Sequence, residues 1–193
     1  MKLLRRVREC GFSLIELLVG IVIGMLILAA ATMTFITQSK SFDAQEQINE
    51  MQQNARAAMD LIVREVKMAG YDPLGVAFDG IPYNASQLTI RADLNADGDY
   101  YDANENIIYS HNAGDLSIRR DAGGEKTLAE NIQGFVLTYL DGAGNTTTTT
   151  ANIRQIRIVI TARTSKRDPN YSQNGGYRTY QLTASVTPPN LDY

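Results

Sequence analysis

The strongest pattern in the chain is an apolar run near its start, which extends from residue 14 to residue 36. The run contains a single charged residue, Glu16, and no proline. At ~1.5 Å per residue, a helix of this length measures about 35 Å, which exceeds the ~30 Å hydrocarbon core of a bilayer. The run therefore predicts a membrane-spanning helix over residues 12–36.

Beyond residue 36 apolar residues become less frequent and recur with the period of a helix. They recur every three or four residues, and no glycine or proline interrupts them before Gly70. Gly70 followed by Pro73 is a typical helix stop. The spacing predicts that the helix continues over residues 37–70 and docks one face onto a following sheet; a free coiled coil is the alternative. The predicted apolar stripe consists of Ile48, Met51, Ala55, Met59, Ile62, Val66 and Ala69.

Residues 71–193 change to short runs of strand type, separated by turns rich in aspartate, asparagine and glycine. This alternation predicts a β-rich head. The whole pattern predicts an α+β fold, in which a long N-terminal helix packs on the antiparallel sheet of a C-terminal head. The predicted strands cover residues 87–91, 106–109, 116–119, 135–139, 154–162 and 177–186.

Charge is distributed unevenly along this chain, whose net charge is −3. Basic residues dominate the leader, residues 1–11, and by the positive-inside rule they keep it in the cytoplasm while the head crosses the membrane. The rest of the chain is acidic, which argues against a nucleic-acid partner. The basic residues of the leader are Lys2, Arg5, Arg6 and Arg8.

Candidate catalytic groups are few. The chain has one cysteine, Cys10, which lies in the leader, and one histidine, His111. It offers neither a histidine cluster for zinc nor an evident nucleophile–base pair, so we predict that it is not an enzyme. A small basic cluster near the C-terminus is either a solvated loop or a contact for DNA or a neighbouring subunit. It comprises Arg163, Lys166, Arg167 and Arg178.

The boundary between leader and apolar run allows two kinds of processing. Small residues at 29–31 suit a conventional signal cleavage after the run, whereas Gly11 lies directly before it. Glu16 also allows two interpretations. An acid at the centre of a membrane helix costs ~2.5–3.5 kcal/mol, less near an end, so Glu16 either reaches water or serves a function.

The residues from Gly11 to Glu16, Gly-Phe-Ser-Leu-Ile-Glu, resemble the class III leader of type IV pilins and type II secretion pseudopilins. The resemblance implies cleavage between Gly11 and Phe12 by a prepilin peptidase/methyltransferase, with N-methylation at Phe12. It also implies that Glu16 answers the charged amine of Phe12 in an adjacent subunit and sets the register of a filament. The implied partners are other major and minor pilins and the inner-membrane pilus assembly platform.

Residues 51–73 resemble the PilW-like minor pilin family, and many major pilins have a helix proline that this chain lacks before Pro73. The resemblance implies a minor pilin that joins or primes a type IV pilus. The protein would lie in the inner membrane with its head in the periplasm, then reach the pilus and the cell surface. A minor (J-like) pseudopilin of type II secretion, a DNA-uptake pseudopilin and a membrane-anchored binding module are the alternatives.

Residues 93–105 carry the one pattern suited to a metal ion. Oxygen side chains stand at positions 1, 3, 5 and 7 and glycine at position 6, as at the start of a calcium loop, but the final acid falls at position 13. An acidic hairpin loop that forms turns through its own side chains is the alternative. The candidate calcium ligands are Asp93, Asn95, Asp97, Asp99 and Glu105, with Asp102 as an alternate.

Overall fold

The computed structural model describes residues 11–191, which divide into two compact units at the boundary between Gln45 and Glu46. The basic residues of the leader and Cys10 lie outside the described residues. The described chain forms a helix α1, strands β1 to β7 and two short 3-10 turns. Their bounds are α1 Leu14–Val66, β1 Gln87–Arg91, β2 Asn106–Asn112, β3 Ser117–Asp121, β4 Glu125–Ala129, β5 Ile132–Leu140, β6 Gln155–Arg163 and β7 Thr179–Val186, with 3-10 turns at Thr150–Asn152 and Gln173–Gly176.

The first unit contains the apolar part of α1. Its large apolar side chains are exposed, from Leu14, which is 80% exposed, to Ile36 at 47%. By length and composition alone, α1 is the single described helix that could cross a bilayer, and no residue of its most apolar window is buried. The side chains of this unit therefore make no apolar core within the described chain.

The second unit contains the end of α1 and all seven described strands, which form two antiparallel sheets. One sheet has the order β1-β2-β3-β4 and the other the order β5-β6-β7. The Ile132 amide donates to the Leu116 carbonyl at 2.7 Å, a bond that joins the start of β5 to the residue before β3. The α+β class and the helix-then-strand order are confirmed, but the head has two sheets where the sequence pattern predicted one.

The apolar stripe of α1 forms the helix side of the core. Met51, Ala55 and Met59 are buried, and Ile62, Val66 and Ala69 are fully covered. They pack against residues of both sheets, so the prediction of docking is confirmed and the second unit itself covers the stripe. The sheet residues of this core include Leu88, Ile90, Tyr109, Ile118, Ile156, Ile158 and Ile160.

Helix α1 ends at Val66, four residues before Gly70, and a turn of tighter, 3-10-like hydrogen bonding follows it. The amides of Met68 and Ala69 donate to carbonyls three residues back. Gly70 has a φ of +76°, and a Cβ atom there would lie 2.6 Å from the Asn190 carbonyl oxygen. Its amide donates to the Arg91 carbonyl at 2.9 Å. Only glycine fits this junction between the helix and β1.

Candidate functional site

The predicted processing site lies on accessible chain. Gly11 is exposed and has no heavy atom within 4 Å of where a Cβ would stand, and the Phe12 side chain is 84% exposed. Helix α1 begins two residues after Phe12. A cut between Gly11 and Phe12 would therefore leave the helix intact and place a new amine at its start.

Glu16 faces back toward that start. Its amide donates to the Ser13 hydroxyl at 3.3 Å, and its carboxylate accepts from the Ser13 amide at 3.3 Å. This reciprocal pair is a capping box, which satisfies two amides that the first helical turn leaves without partners. Glu16 thus lies four residues after Phe12, the residue of the predicted amine, and its carboxylate accepts hydrogen bonds from Ser13, which directly follows Phe12.

The acidic loop between β1 and β2 brings three of its five predicted ligands together. One carboxylate oxygen from each of Asp93, Asp97 and Glu105 lies within 4.8 Å of the others. Asp93 is fully buried, Glu105 is 3% exposed, and Asp97 faces solvent. The cluster is therefore a partly buried group of acids that opens to water on one side.

The other two predicted ligands, Asn95 and Asp99, make hydrogen bonds within the same loop. The Asn95 side-chain amide donates to Asp97 and to Asp102, each at 2.9 Å. The Asp99 carboxylate accepts from the Tyr101 amide at 2.8 Å. Asn95 likewise accepts from the Asp97 amide at 2.9 Å, so both side chains form turns of the kind expected for an acidic loop.

Comparisons with two protein-family models show which family the chain belongs to. A family model described as prepilin peptidase-dependent protein B matches residues 44–187, and the model of the prokaryotic N-terminal methylation motif matches residues 6–32. The chain belongs to the prepilin peptidase-dependent protein B family. No curated protein matches it. Among solved structures it is similar to the type IV-like pilin TTHA1219 from Thermus thermophilus, with 12% identity over 73% of this chain and 98% of that chain and a TM-score of 0.48.

The family and the methylation motif together imply processing by a prepilin peptidase and assembly of the pilin type. The methylation match includes Gly11, Phe12 and Glu16, and it extends into the exposed apolar part of α1. The match to the prepilin peptidase-dependent family begins at residue 44, two residues before the second unit starts at Glu46, and covers nearly all of that unit. Each unit is thus accounted for by a different family match.

Sequence reasoning missed a buried polar cluster inside the family region. Glu65 on α1 is 6% exposed and accepts hydrogen bonds from the Tyr109 hydroxyl on β2 and from Arg120 on β3. The Arg120 Nη2 atom lies 2.8 Å from Glu65 Oε1, and the same nitrogen donates to the Asn104 side chain at 3.2 Å. The sequence feature that could have indicated this cluster is an acid, Glu65, directly before Val66 of the apolar stripe.

Electrostatics in this cluster favour a neutral tyrosine beside an ion pair. Burial, and then the hydrogen bond to the Glu65 carboxylate, raise the pKa of the Tyr109 hydroxyl. The hydrogen bond to Glu65 also raises the pKa of Arg120. The hydrogen bonds of this cluster join the helix to the four-stranded sheet. Because Tyr109 and Arg120 bind the Glu65 carboxylate, this cluster has no acid free to take part in a reaction.

The basic cluster near the C-terminus is largely engaged by neighbouring side chains. Arg178 pairs with Asp168 at 2.8 Å, and its guanidinium lies 5.0 Å from the Tyr171 ring centre. Arg163 stacks over the Tyr177 ring at 4.1 Å. These contacts offset or cover the charge of Arg163 and Arg178, whereas Lys166 and Arg167 are exposed.

Proposed function

We propose that this protein is a minor pilin of the PilW-like kind. After cleavage between Gly11 and Phe12 and methylation of Phe12, it would lie in the inner membrane with its head in the periplasm. It would then join, or prime, a type IV pilus at the cell surface. The observation that carries the proposal is a methylation motif that continues directly into an apolar helix whose side chains no other described residue buries.

The exposed side chains of the first unit need an apolar environment outside the chain. Full burial of one Val, Leu or Ile side chain is worth about 1.5–3 kcal/mol, so the run from Leu14 to Ile36 strongly disfavours water. A bilayer supplies that environment before assembly. Packing against the corresponding helices of other major and minor pilins supplies it in a filament, which the inner-membrane assembly platform would build.

Glu16 supplies a reason for ordered packing. Cleavage creates an ammonium group at Phe12, methylation leaves its charge in place, and an unpaired charge is costly in an apolar filament core. Within the chain the Glu16 carboxylate is held by Ser13 at hydrogen-bond lengths of 3.3 and 3.5 Å, both long. A carboxylate so loosely held is available to an amine of an adjacent subunit, and that pairing would fix the axial register.

The experiment replaces Glu16 by alanine, with Glu46→Ala as the matched control. Glu46 is an exposed acid on the same helix, at the start of the second unit. We expect normal insertion and cleavage of Glu16→Ala, but at least about a tenfold loss from sheared filaments, equivalent to ~1.4 kcal/mol per subunit. Glu46→Ala should be retained. The readout is an immunoblot of the membrane and filament fractions, and wild-type amounts of Glu16→Ala in filaments would remove the register role.

The minor pseudopilin alternative predicts the same processing and a different phenotype. Deletion of the gene should abolish or reduce surface pili if the protein serves a type IV pilus. The same deletion should leave pili intact and block the release of secreted enzymes if it serves type II secretion. Scoring both in one strain separates the two systems, and a gel-shift assay tests the DNA-uptake alternative.

A further inference from the structure

We propose that the acidic loop between β1 and β2 is a binding site for a hard divalent cation, calcium, held by Asp93, Asp97 and Glu105. The site is independent of the pilin function and lies wholly within the second unit. Three observations carry it: the approach of three carboxylates, a buried carboxylate oxygen without a partner, and a local charge that nothing in the loop balances.

The three carboxylates approach one another more closely than free acids would. One oxygen from each lies within 4.8 Å of the other two. Asp93 and Glu105 are buried, so their mutual repulsion is poorly screened by water. Asp97 is exposed and leaves a route by which an ion can enter. Like charges held in this way are stabilised by a cation between them.

Glu105 has one oxygen that the protein leaves unsatisfied. Its Oε1 atom accepts from the amides of Leu94 at 2.8 Å and Asn95 at 3.1 Å. Its Oε2 atom is buried and has no hydrogen-bond partner. It is the only carboxylate oxygen among the buried side-chain atoms without a partner in residues 11–191. Such an atom costs free energy unless something outside the chain, here a cation, binds it.

Charge around the loop is strongly one-sided. Five acids fall between residues 93 and 105, and the sequence has no lysine or arginine between Arg91 and Arg119. None of the ion pairs formed by the described residues includes an acid of this loop. The guanidinium of Arg91 instead stacks on the Tyr100 ring at 4.6 Å. No ion pair of the described residues therefore offsets the charge of these acids, and a cation from solution would do so.

The ligand chemistry favours calcium. Carboxylate oxygens are hard ligands, and calcium accepts six to eight oxygens in flexible geometry, whereas magnesium demands a near-ideal octahedron. In this loop both oxygens of Asp93 already accept backbone amides, from Ala96 at 2.7 Å and Gly98 at 3.0 Å. A carboxylate fixed by its backbone cannot move freely into an octahedral position, so the more tolerant ion fits better.

The loop is also tied to the segment that follows α1. The Asp93 amide donates to the Tyr71 carbonyl at 2.8 Å, and the Ala92 amide donates to the Glu105 carbonyl at 2.9 Å. A Cβ atom at Gly98 would lie 3.4 Å from the Val76 side chain. Binding of an ion should therefore stabilise both the loop and residues 71–78, which makes thermal stability a suitable readout.

The test uses the full-length protein in detergent, stripped with a chelator and titrated with calcium chloride, with direct calorimetry of binding. At calcium a hundredfold above its dissociation constant, we expect Tm to rise by about 5–10 °C. Magnesium at the same concentration should give a smaller rise. Absence of both a binding signal and a Tm change would overturn the site.

Three variants make the test specific. Glu105→Gln and Asp97→Asn each remove one ligand charge and should abolish the calcium-dependent rise. Asp97 is exposed, so its variant keeps the test decisive if Glu105→Gln fails to fold. Asp141→Asn is the matched control, because that partly exposed aspartate also accepts backbone amides in a turn. An equal rise in all variants would show general ion effects and contradict the proposal.

Discussion

Two stretches of α1 show an inverse relation between hydropathy and burial, because the more apolar stretch is the less buried one. The more apolar stretch, from Leu14 to Gln45, exposes its large apolar side chains, whereas the more polar stretch, from Glu46 to Val66, buries a stripe in the core. A soluble fold would show the reverse, because apolar surface is the part most favoured to leave water. The difference teaches that the first stretch is shaped for surroundings outside its own chain.

Two glutamates repeat the contrast at the level of single residues. Glu65 finds a cation and a hydroxyl within its own unit, on Arg120 and Tyr109. Among residues 11–191, the Glu16 carboxylate accepts hydrogen bonds from Ser13, three residues earlier, at the long distances of 3.3 and 3.5 Å. Glu65 is therefore satisfied by folding, whereas in the proposed function Glu16 is satisfied by assembly. Both lie on α1, so the proposal gives the helix an internal connection near one end and an external connection near the other.

The largest expected effect comes from breaking the internal connection. Replacement of Glu65 by leucine leaves the guanidinium of Arg120 without its carboxylate, and losing one partner of a buried pair costs about 3–5 kcal/mol. For a chain of this size, that loss should lower Tm by roughly 6–20 °C. The measurement is thermal unfolding of the full chain in detergent, followed by the near-ultraviolet circular dichroism of its tyrosines.

Two further variants sharpen this result. Glu46→Leu, at an exposed position on the same helix, should change the free energy of unfolding by less than about 0.5 kcal/mol. The double variant Glu65→Leu/Arg120→Leu should recover much of the loss, since it leaves no buried charge unpaired. Equal destabilisation by Glu46→Leu and Glu65→Leu would remove the special role of the buried cluster.

A smaller effect tests the two stretches directly with the same substitution. Ile62 is 0% exposed and Ile23 is 51% exposed. Ile62→Ala should cost about 3 kcal/mol, because it leaves a cavity between the helix and the sheets. Ile23→Ala should cost less than about 0.5 kcal/mol, because detergent surrounds that side chain before and after the head unfolds. Similar costs at both positions would show that the apolar stretch belongs to the folded core.

The parts of the fold that depend on the local spacing of apolar residues could be predicted from the sequence. The three-to-four spacing of Met51, Met59 and Ile62 identified the buried helix face without any knowledge of the sheet. Strand β4 was missed because Glu125, Lys126 and Thr127 are exposed and lack an apolar alternation. The division into two sheets was also missed, because period-two alternation marks a strand but does not say which strand it pairs with.

The same distinction, between residues close in the sequence and residues brought together by the fold, applies to the candidate site. The processing residues Gly11, Phe12 and Glu16 follow one another closely, so a short motif was enough to propose them, and the match to the N-terminal methylation motif covers the same positions. Glu65 was not predicted, because its partners come from β2 and β3, more than forty residues away along the chain. The acidic loop is intermediate: its spacing suggested a metal, but only the fold brings Glu105 to Asp93 and Asp97.

The most direct test of the account is the N-terminus of the mature chain. Protein would be isolated from membranes of cells with and without the prepilin peptidase, and its first peptide identified by mass spectrometry. We predict an N-methylated Phe12 as the first residue, with the leader retained when the peptidase is absent. An intact Met1 in normal cells, or a cut near Ala31, would contradict the account, because the apolar helix would then lack its new amine or be lost altogether.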